Sequence, residues 1–280
     1  MELKAYAKIN LSLDITGLRE DGYHLLKTVM QNIDLYDIVT VNKCEKGINL
    51  KCNKNIIPVD NRNLAYKAAE LFVEFYGINE GVNIYIEKNI PIQAGLAGGS
   101  TDAAAVLKAM RDIFRPKVSN TELADMSLNL GADVPFCICG GTALCEGIGE
   151  RVTPLKPFKD YIAVLVKPEF GVSTKDIYKD IDKRIILKHP NTENILEAIE
   201  KQNLQLLCNN MINVLEEVTV EKYTALNIIK EDIFKFKALG TLMSGSGSTI
   251  FGFFEDMLSA QKCYDYMKDR YNEVFITRTI

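Results

Sequence analysis

Residues 91–110, PIQAGLAGGSTDAAAVLKAM, set Gly95, Gly98 and Gly99 beside the hydroxyls of Ser100 and Thr101. Glycines lack Cβ, so the backbone can take positive φ and bring its N–H groups close to an oxyanion. Ser100 or Thr101 can cap the helix that follows, whose first turn leaves N–H groups unpaired and carries partial positive charge. A phosphate chain is the ligand such a cradle suits best. A turn that only lets a helix pack close to a strand would use the same glycines. The Walker spacing G-x-x-x-x-G-K-[ST] is absent, no G-x-G-x-x-G opens a βαβ unit, and neither H-R-D nor D-F-G occurs.

Four further groups of residues could do chemistry. Lys8, Asn10 and Ser12 share one side of an alternating segment; they could equally be a solvated strand face. Asp133 stands between a helical segment and the apolar run VPFCIC, where a carboxylate loses solvent and needs a partner; an N-cap or turn aspartate is the other reading. Tyr23 and His24 pair an aromatic face with a ring that can donate and accept, which suits a planar base but also an ordinary strand start. SGSGS at 244–248 offers hydroxyls and glycine N–H groups to a phosphate, or forms a simple hairpin turn.

The elements that must position these residues follow from periodicity. Residues 3–15 alternate as a strand, with Ala5, Ala7, Ile9, Leu11, Leu13 and Ile15 on one side. Asp21-Gly22 marks a turn, and β-rich segments follow through residue 51. Helical spacing covers 63–75, a strand covers 82–87, and the helix after the glycine loop runs to Pro116. Ser119 and Glu122 have capping-box spacing for a helix ending at Gly131. Gly147, Gly149, Pro154 and Pro157 punctuate the chain, which places a domain boundary there, with domains at 1–155 and 156–280. Beyond it, Ser173 caps a helix carrying Thr174 and Tyr178 on one face. Helical patterns at 193–216 and 221–236, two short strands within 241–254, a helix near 256–270 and a strand ending at Thr279 suggest an antiparallel sheet covered by helices.

At 280 residues, 47% hydrophobic and 25% charged, the chain reads as an ordinary globular protein of one large or two moderate domains. A net charge of −4 argues against a nucleic-acid partner, whose footprint is basic. No apolar run approaches the roughly 20 residues of a membrane span, and MELKAYAKINLSLDITG lacks a leader-like apolar region, so a cytoplasmic location is expected. The seven cysteines are scattered; Cys137 and Cys139 form C-x-C with no second pair, which points to buried thiols and no zinc site.

AKINLSL, P-x-x-x-G-L-A-G-G-S-T-D-A-A and LMSGSGSTIFG, in that order, resemble the three signature motifs of the GHMP small-molecule kinase superfamily. REDGYHLL, LGADVPFC and GVSTKDIY narrow the resemblance to its branch acting on a cytidylyl diphosphate ester of methylerythritol, in non-mevalonate isoprenoid biosynthesis. The loop departs from the commoner pattern at Gln93, Ala94 and Ala97, where glycines are frequent, and at Thr101, where serine is.

The resemblance implies an α+β fold, with an N-terminal domain of the ribosomal-protein-S5 second-domain type and a ferredoxin-like C-terminal domain. It implies that Pro91, Ile92, Gln93, Ala94, Gly95, Leu96, Ala97, Gly98, Gly99, Ser100 and Thr101 wrap ATP, with Mg²⁺ accompanying the nucleotide. Asp133 would be the base and Lys8 its partner. Tyr23 and Tyr178 would sandwich cytosine, His24 would hydrogen-bond it, and Asn10 and Thr174 would be polar substrate contacts. A monomer or homodimer is expected. A different GHMP kinase would share the loop but not need the aromatic clamp, and a non-catalytic nucleotide sensor would not need Lys8 and Asp133.

Overall fold

The alternating N-terminal segment forms β1 (Glu2–Leu18), which runs antiparallel to β2 (His24–Cys44) across a turn where Gly22 takes φ +85°. The alternation is not continuous: bulges fall between Tyr6 and Lys8 and between Asn10 and Ser12. A bulge exchanges the faces to which successive side chains point. Ala5 therefore packs with the helices of the first sheet, whereas Ala7, Ile9 and Leu11 pack in a different core. Ser12, beyond the second bulge, is fully buried and accepts from Val29 N–H at 3.3 Å.

The computed structural model describes residues 1–280, and the first sheet is completed around β2. In chain order come β3 (Ile48–Cys52), α1 (Leu64–Tyr76), β4 (Gly81–Glu87), α2 (Gly98–Phe114), α3 (Asn120–Met126), α4 (Val134–Cys139), β5 (Thr142–Gly147) and β6 (Arg151–Pro154). One edge of β2 pairs with β1; the other carries β5 along Leu26–Gln31 and β4 along Ile38–Cys44. β3 joins β4 in parallel and β6 joins β5. Ala65, Ala68, Ala69 and Phe72 of α1 meet Ala103, Val106, Leu107 and Met110 of α2 over this sheet. The capping box of Ser119 and Glu122 opens α3.

The second sheet is formed by β7 (Ile162–Lys167), then α5 (Thr174–Ile181), α6 (Thr192–Glu200), α7 (Leu204–Asn210), α8 (Val214–Lys222), α9 (Ala225–Lys235), β8 (Gly240–Met243), β9 (Ile250–Phe254), α10 (Met257–Lys268) and β10 (Glu273–Arg278). Its spatial order β10-β7-β9-β8, all antiparallel, is the ferredoxin-like arrangement. The two sheets share a core: Ala7, Ile9, Leu11 and Ile33 meet Leu165, Leu242, Phe251 and Phe253. The chain end reinforces it, with Ile280 N–H donating to Asn32 O at 3.1 Å and Gln31 Nε2 to Ile280 O at 2.9 Å.

Three expectations change. The helical pattern at 193–216 divides into α6, α7 and the start of α8, because Asn203 and Asn213 accept from the N–H groups of Leu206 and Leu215 and so begin new helices. VPFCIC is helix α4, with Pro135 in its first turn; only Thr142–Gly147 is strand. Neither Ser100 nor Thr101 caps α2. Ala97, at φ 58°, holds the cap position without a side-chain bond, and the helix starts at Gly98.

Phe251 is fully buried in the core shared by the sheets. Phe251→Ala is expected to cost about 3–5 kcal/mol, measured by urea unfolding, with both sheets lost in one transition. A cost below about 1 kcal/mol, or separate transitions in the parent protein, would contradict the shared core.

Candidate active site

The glycine loop leaves β4 and enters α2 through three positive-φ residues, Gln93 (53°), Gly95 (74°) and Ala97 (58°). Gly95 is required twice over: its φ disfavours a side chain, and a Cβ there would lie 2.1 Å from the carbonyl oxygen of Ser244. The two serine and glycine turns are thus in direct backbone contact. Ser244 Oγ donates to Gly95 O at 2.9 Å and Thr249 N–H to Ala94 O at 3.3 Å. Lys8 N–H donates to Leu96 O at 3.2 Å, which fixes the loop against β1. Because α2 opens at Gly98, the N–H groups of Gly98, Gly99 and Ser100 form its unpaired first turn, beside the cleft.

The cleft has a volume of about 1030 Å³. It is lined by Pro91 to Ser100, Lys8, Asn10, Tyr23, His24, Asp133, Thr174, Tyr178, Gly245 and Ser246. Thr101 does not line it: this buried hydroxyl donates to Tyr6 O at 2.8 Å and ties α2 to β1. The SGSGS turn reaches the other wall, where Ser246 and Thr174 hydroxyls share a hydrogen bond at 2.8 Å.

Lys8 and Asp133 face each other at 3.6 Å, with side chains 4% and 33% exposed. The ammonium is therefore shielded, while the carboxylate faces the cleft. Lys8 Nζ also donates to Asn10 Oδ1 at 2.7 Å; Asn10 Nδ2 donates to Thr28 Oγ1 at 2.8 Å, and Thr28 Oγ1 to Ser12 O at 2.5 Å. This chain fixes the Asn10 amide with its oxygen toward the lysine. Nearby thiols are not nucleophiles: burial pushes Cys137 up to about 12, and Asp133 adds to the effect.

At the far end, Tyr23 is exposed, and the ring packed on Tyr178 is that of His24, with centroids 4.8 Å apart. His24 Nε2 lies 2.7 Å from Asp182 Oδ1. Burial raises the Tyr178 hydroxyl well above its ordinary value, so it stays neutral.

Sequence reasoning missed the buried ionic group beneath the loop. Lys88, at the end of β4, pairs with Asp37 of β2 and, at 2.8 Å, with Asp102 of α2. The available signal was an aspartate directly after GGST, at a position whose helical phase is buried. Asp182 and Thr28 were missed as well; nothing local marks a polar residue whose partner lies on another element.

A glycine loop opening a helix N-terminus, a lysine–aspartate pair and aromatic rings in one cleft suit a small-molecule kinase. The family model of the GHMP kinase N-terminal domain matches residues 63–141, and that of the GHMP kinase C-terminal domain matches 188–273. The chain belongs to the GHMP kinase family. Within it the similarity runs to 4-diphosphocytidyl-2-C-methyl-D-erythritol kinases. The chain is 62% identical to the one from Clostridium botulinum strain Alaska E43 and 60% identical to the one from Clostridium tetani strain Massachusetts, each over 100% of both chains. A crystal structure of 4-(cytidine 5'-diphospho)-2C-methyl-D-erythritol kinase is similar with a TM-score of 0.84 and 33% identity, over 100% of this chain and 99% of that one. Homoserine kinase from Cytophaga hutchinsonii, at TM-score 0.78 and 20% identity over 100% of this chain and 94% of that one, shares the fold.

Lys88→Met leaves Asp37 buried without a cation. Removing one partner of a buried pair costs about 3–5 kcal/mol, so a fall of that size in denaturant-unfolding free energy is expected. A change below about 1 kcal/mol would show that the pair contributes nothing to the loop's support.

Proposed function

We propose that the chain transfers the γ-phosphoryl group of ATP to the C2 hydroxyl of 4-diphosphocytidyl-2-C-methyl-D-erythritol, giving the 2-phosphate and ADP in the non-mevalonate route to isoprenoid precursors. The observation that carries this reading is the convergence on one cleft of the glycine loop, the Lys8–Asp133 pair and the Tyr23, His24 and Tyr178 rings. A cleft of about 1030 Å³ sits at the upper end of single-ligand pockets, as two substrates require.

In this reading Pro91 to Ser100 cradle the ATP phosphates through free N–H groups, and the loop with residues 1–155 forms the nucleotide-binding unit. Residues 156–280 supply Thr174 and Tyr178 to the second substrate. Asp133 accepts a hydrogen bond from the C2 hydroxyl and takes its proton late in the transfer, because a tertiary alcohol is a weak acid. Lys8, paired with that carboxylate, adds positive charge where negative charge develops on the transferring group. Asn10, held by Thr28, keeps the ammonium in place and offers a polar edge to the methylerythritol unit. Most of the rate then comes from positioning and charge neutralisation.

Mg²⁺ is expected with the nucleotide. No group of three or more His, Cys, Asp or Glu stands ready as a metal cage, and Mg²⁺ in kinase sites keeps several waters and uses phosphate oxygens with few protein ligands. Ser100 is the loop hydroxyl at the cleft, so it would lie nearest the ion. No helix is long and apolar enough to cross a membrane; a cytoplasmic location and a monomeric or homodimeric state remain part of the proposal.

Phosphorus NMR of protein, Mg-ATP and the cytidylyl substrate is expected to show a new phosphomonoester with ADP release. Asp133→Asn should lower kcat by about 10²-fold or more while ATP affinity stays within about 3-fold; full activity in the variant would remove Asp133 from its role. Tyr178→Ala should weaken the cytidylyl substrate by roughly 1–3 kcal/mol, as loss of one stacking ring does in nucleic-acid binders, and leave ATP binding alone. An unchanged KM would contradict the clamp.

A further inference from the structure

The chain has two histidines, and one of them, His24, is held on two sides. It opens β2 at the far end of the cleft, with its side chain 12% exposed. Its ring packs against Tyr178, with centroids 4.8 Å apart and 34° between the planes. Its Nε2 lies 2.7 Å from Oδ1 of Asp182, the residue that ends α5. Asp182 also lines the cleft, and His24 is its one side-chain partner, whereas neighbouring Asp180 takes both Lys183 and Lys222. A carboxylate at the C-terminal end of a helix opposes the helix dipole, so α5 is not stabilised by an aspartate there. What the position supplies is the contact with His24.

That contact fixes which ring nitrogen carries the proton. An ionised carboxylate only accepts, so a neutral imidazole must donate from Nε2, which leaves Nδ1 as a bare acceptor. Nδ1 has no partner within the protein and is not sealed from solvent. The ring lines the cleft, so this nitrogen is offered to a ligand there, and it suits one that donates.

Cytosine carries an amine donor at C4, and uracil carries an oxygen at the same place. Uracil offers a donor only at N3, one ring position away. We propose that Asp182 is a positioning residue that selects the base. By holding the His24 proton on Nε2 it makes Nδ1 accept from the C4 amine of cytosine, and sets lone pair against lone pair with the C4 oxygen of uracil. The selection rests on the kinase reading, which puts a cytidylyl ester against Tyr178. An amide at residue 182 would relax it, because asparagine can turn its nitrogen to donate to a bare Nε2 and so leave the proton on Nδ1.

Two readouts in the full chain test this, one of them independent of activity. Long-range ¹H–¹⁵N correlation at about pH 8.5, above the ordinary histidine range, reads the tautomer. His189→Gln identifies which of the two histidine signals belongs to His24. Wild type should show the His24 proton on Nε2 with Nδ1 bare; a proton on Nδ1 would overturn the proposal. The second readout is kcat/KM with Mg-ATP for the cytidylyl ester and for the same ester carrying uracil. Wild type should favour cytosine by about 10-fold or more, and Asp182→Asn by less than about 3-fold. A purely structural contact would weaken both esters alike, so an unchanged ratio in Asp182→Asn would overturn the proposal, as would a wild type without preference. Wild type with the expected tautomer that phosphorylates neither ester would instead refute the kinase reading on which the base selection stands.

Discussion

The cleft exists because two glycine-bearing turns from different sheets touch backbone to backbone. Ser244 O stands too close to Gly95 for a Cβ at residue 95, and Ser244 Oγ and Thr249 N–H donate to Gly95 O and Ala94 O. This contact sets the height of the loop above β1, where Lys8 N–H also holds it, and so sets the distance between the loop and the Lys8–Asp133 pair. Asn213 fixes the far turn, donating to Met243 O at 2.8 Å and Gly245 O at 2.7 Å. The same turn bonds Thr174 through Ser246, so the glycine loop and the helix carrying Tyr178 are referenced to one piece of backbone.

Around that contact the chain places two buried lysines with opposite tasks. Lys8 meets one carboxylate that remains a third exposed, and its ammonium also donates to Asn10 Oδ1 at the cleft wall. Lys88 meets two carboxylates that are both buried and serves to hold β2, β4 and α2 together under the loop. A buried ion group of the second kind contributes little net stability against an apolar replacement of all its members, yet it is costly to break singly. It gives the loop a fixed floor. In the proposed reaction the N–H groups above it would need no rearrangement as charge shifts.

The chemistry-bearing residues were legible because their types are rare at such spacings: glycines before hydroxyls at 95–101, Tyr23-His24 after a turn, and Asp133 beside an apolar run. The helices and short strands followed from periodicity and caps, as at Ser119. What escaped depends on contacts between distant elements. The bulge after Tyr6 turns Lys8 and Asn10 toward the cleft and Ala7 and Ile9 into the second core, and no local pattern announces it. Thr101 looked like a phosphate hydroxyl beside Ser100, but a helix that starts at Gly98 rotates it toward Tyr6. The Lys88 group links residues 37, 88 and 102 across three elements, and only the fold brings them together.

The most direct test of the account is a crystal structure of the ternary complex with β,γ-imido ATP and 4-diphosphocytidyl-2-C-methyl-D-erythritol. The account predicts the γ-phosphate against the N–H groups of residues 98–100, with the C2 hydroxyl in line with it and within hydrogen-bond distance of Asp133. A complex in which the C2 hydroxyl lies away from Asp133, or the phosphates lie outside the glycine loop, would contradict it.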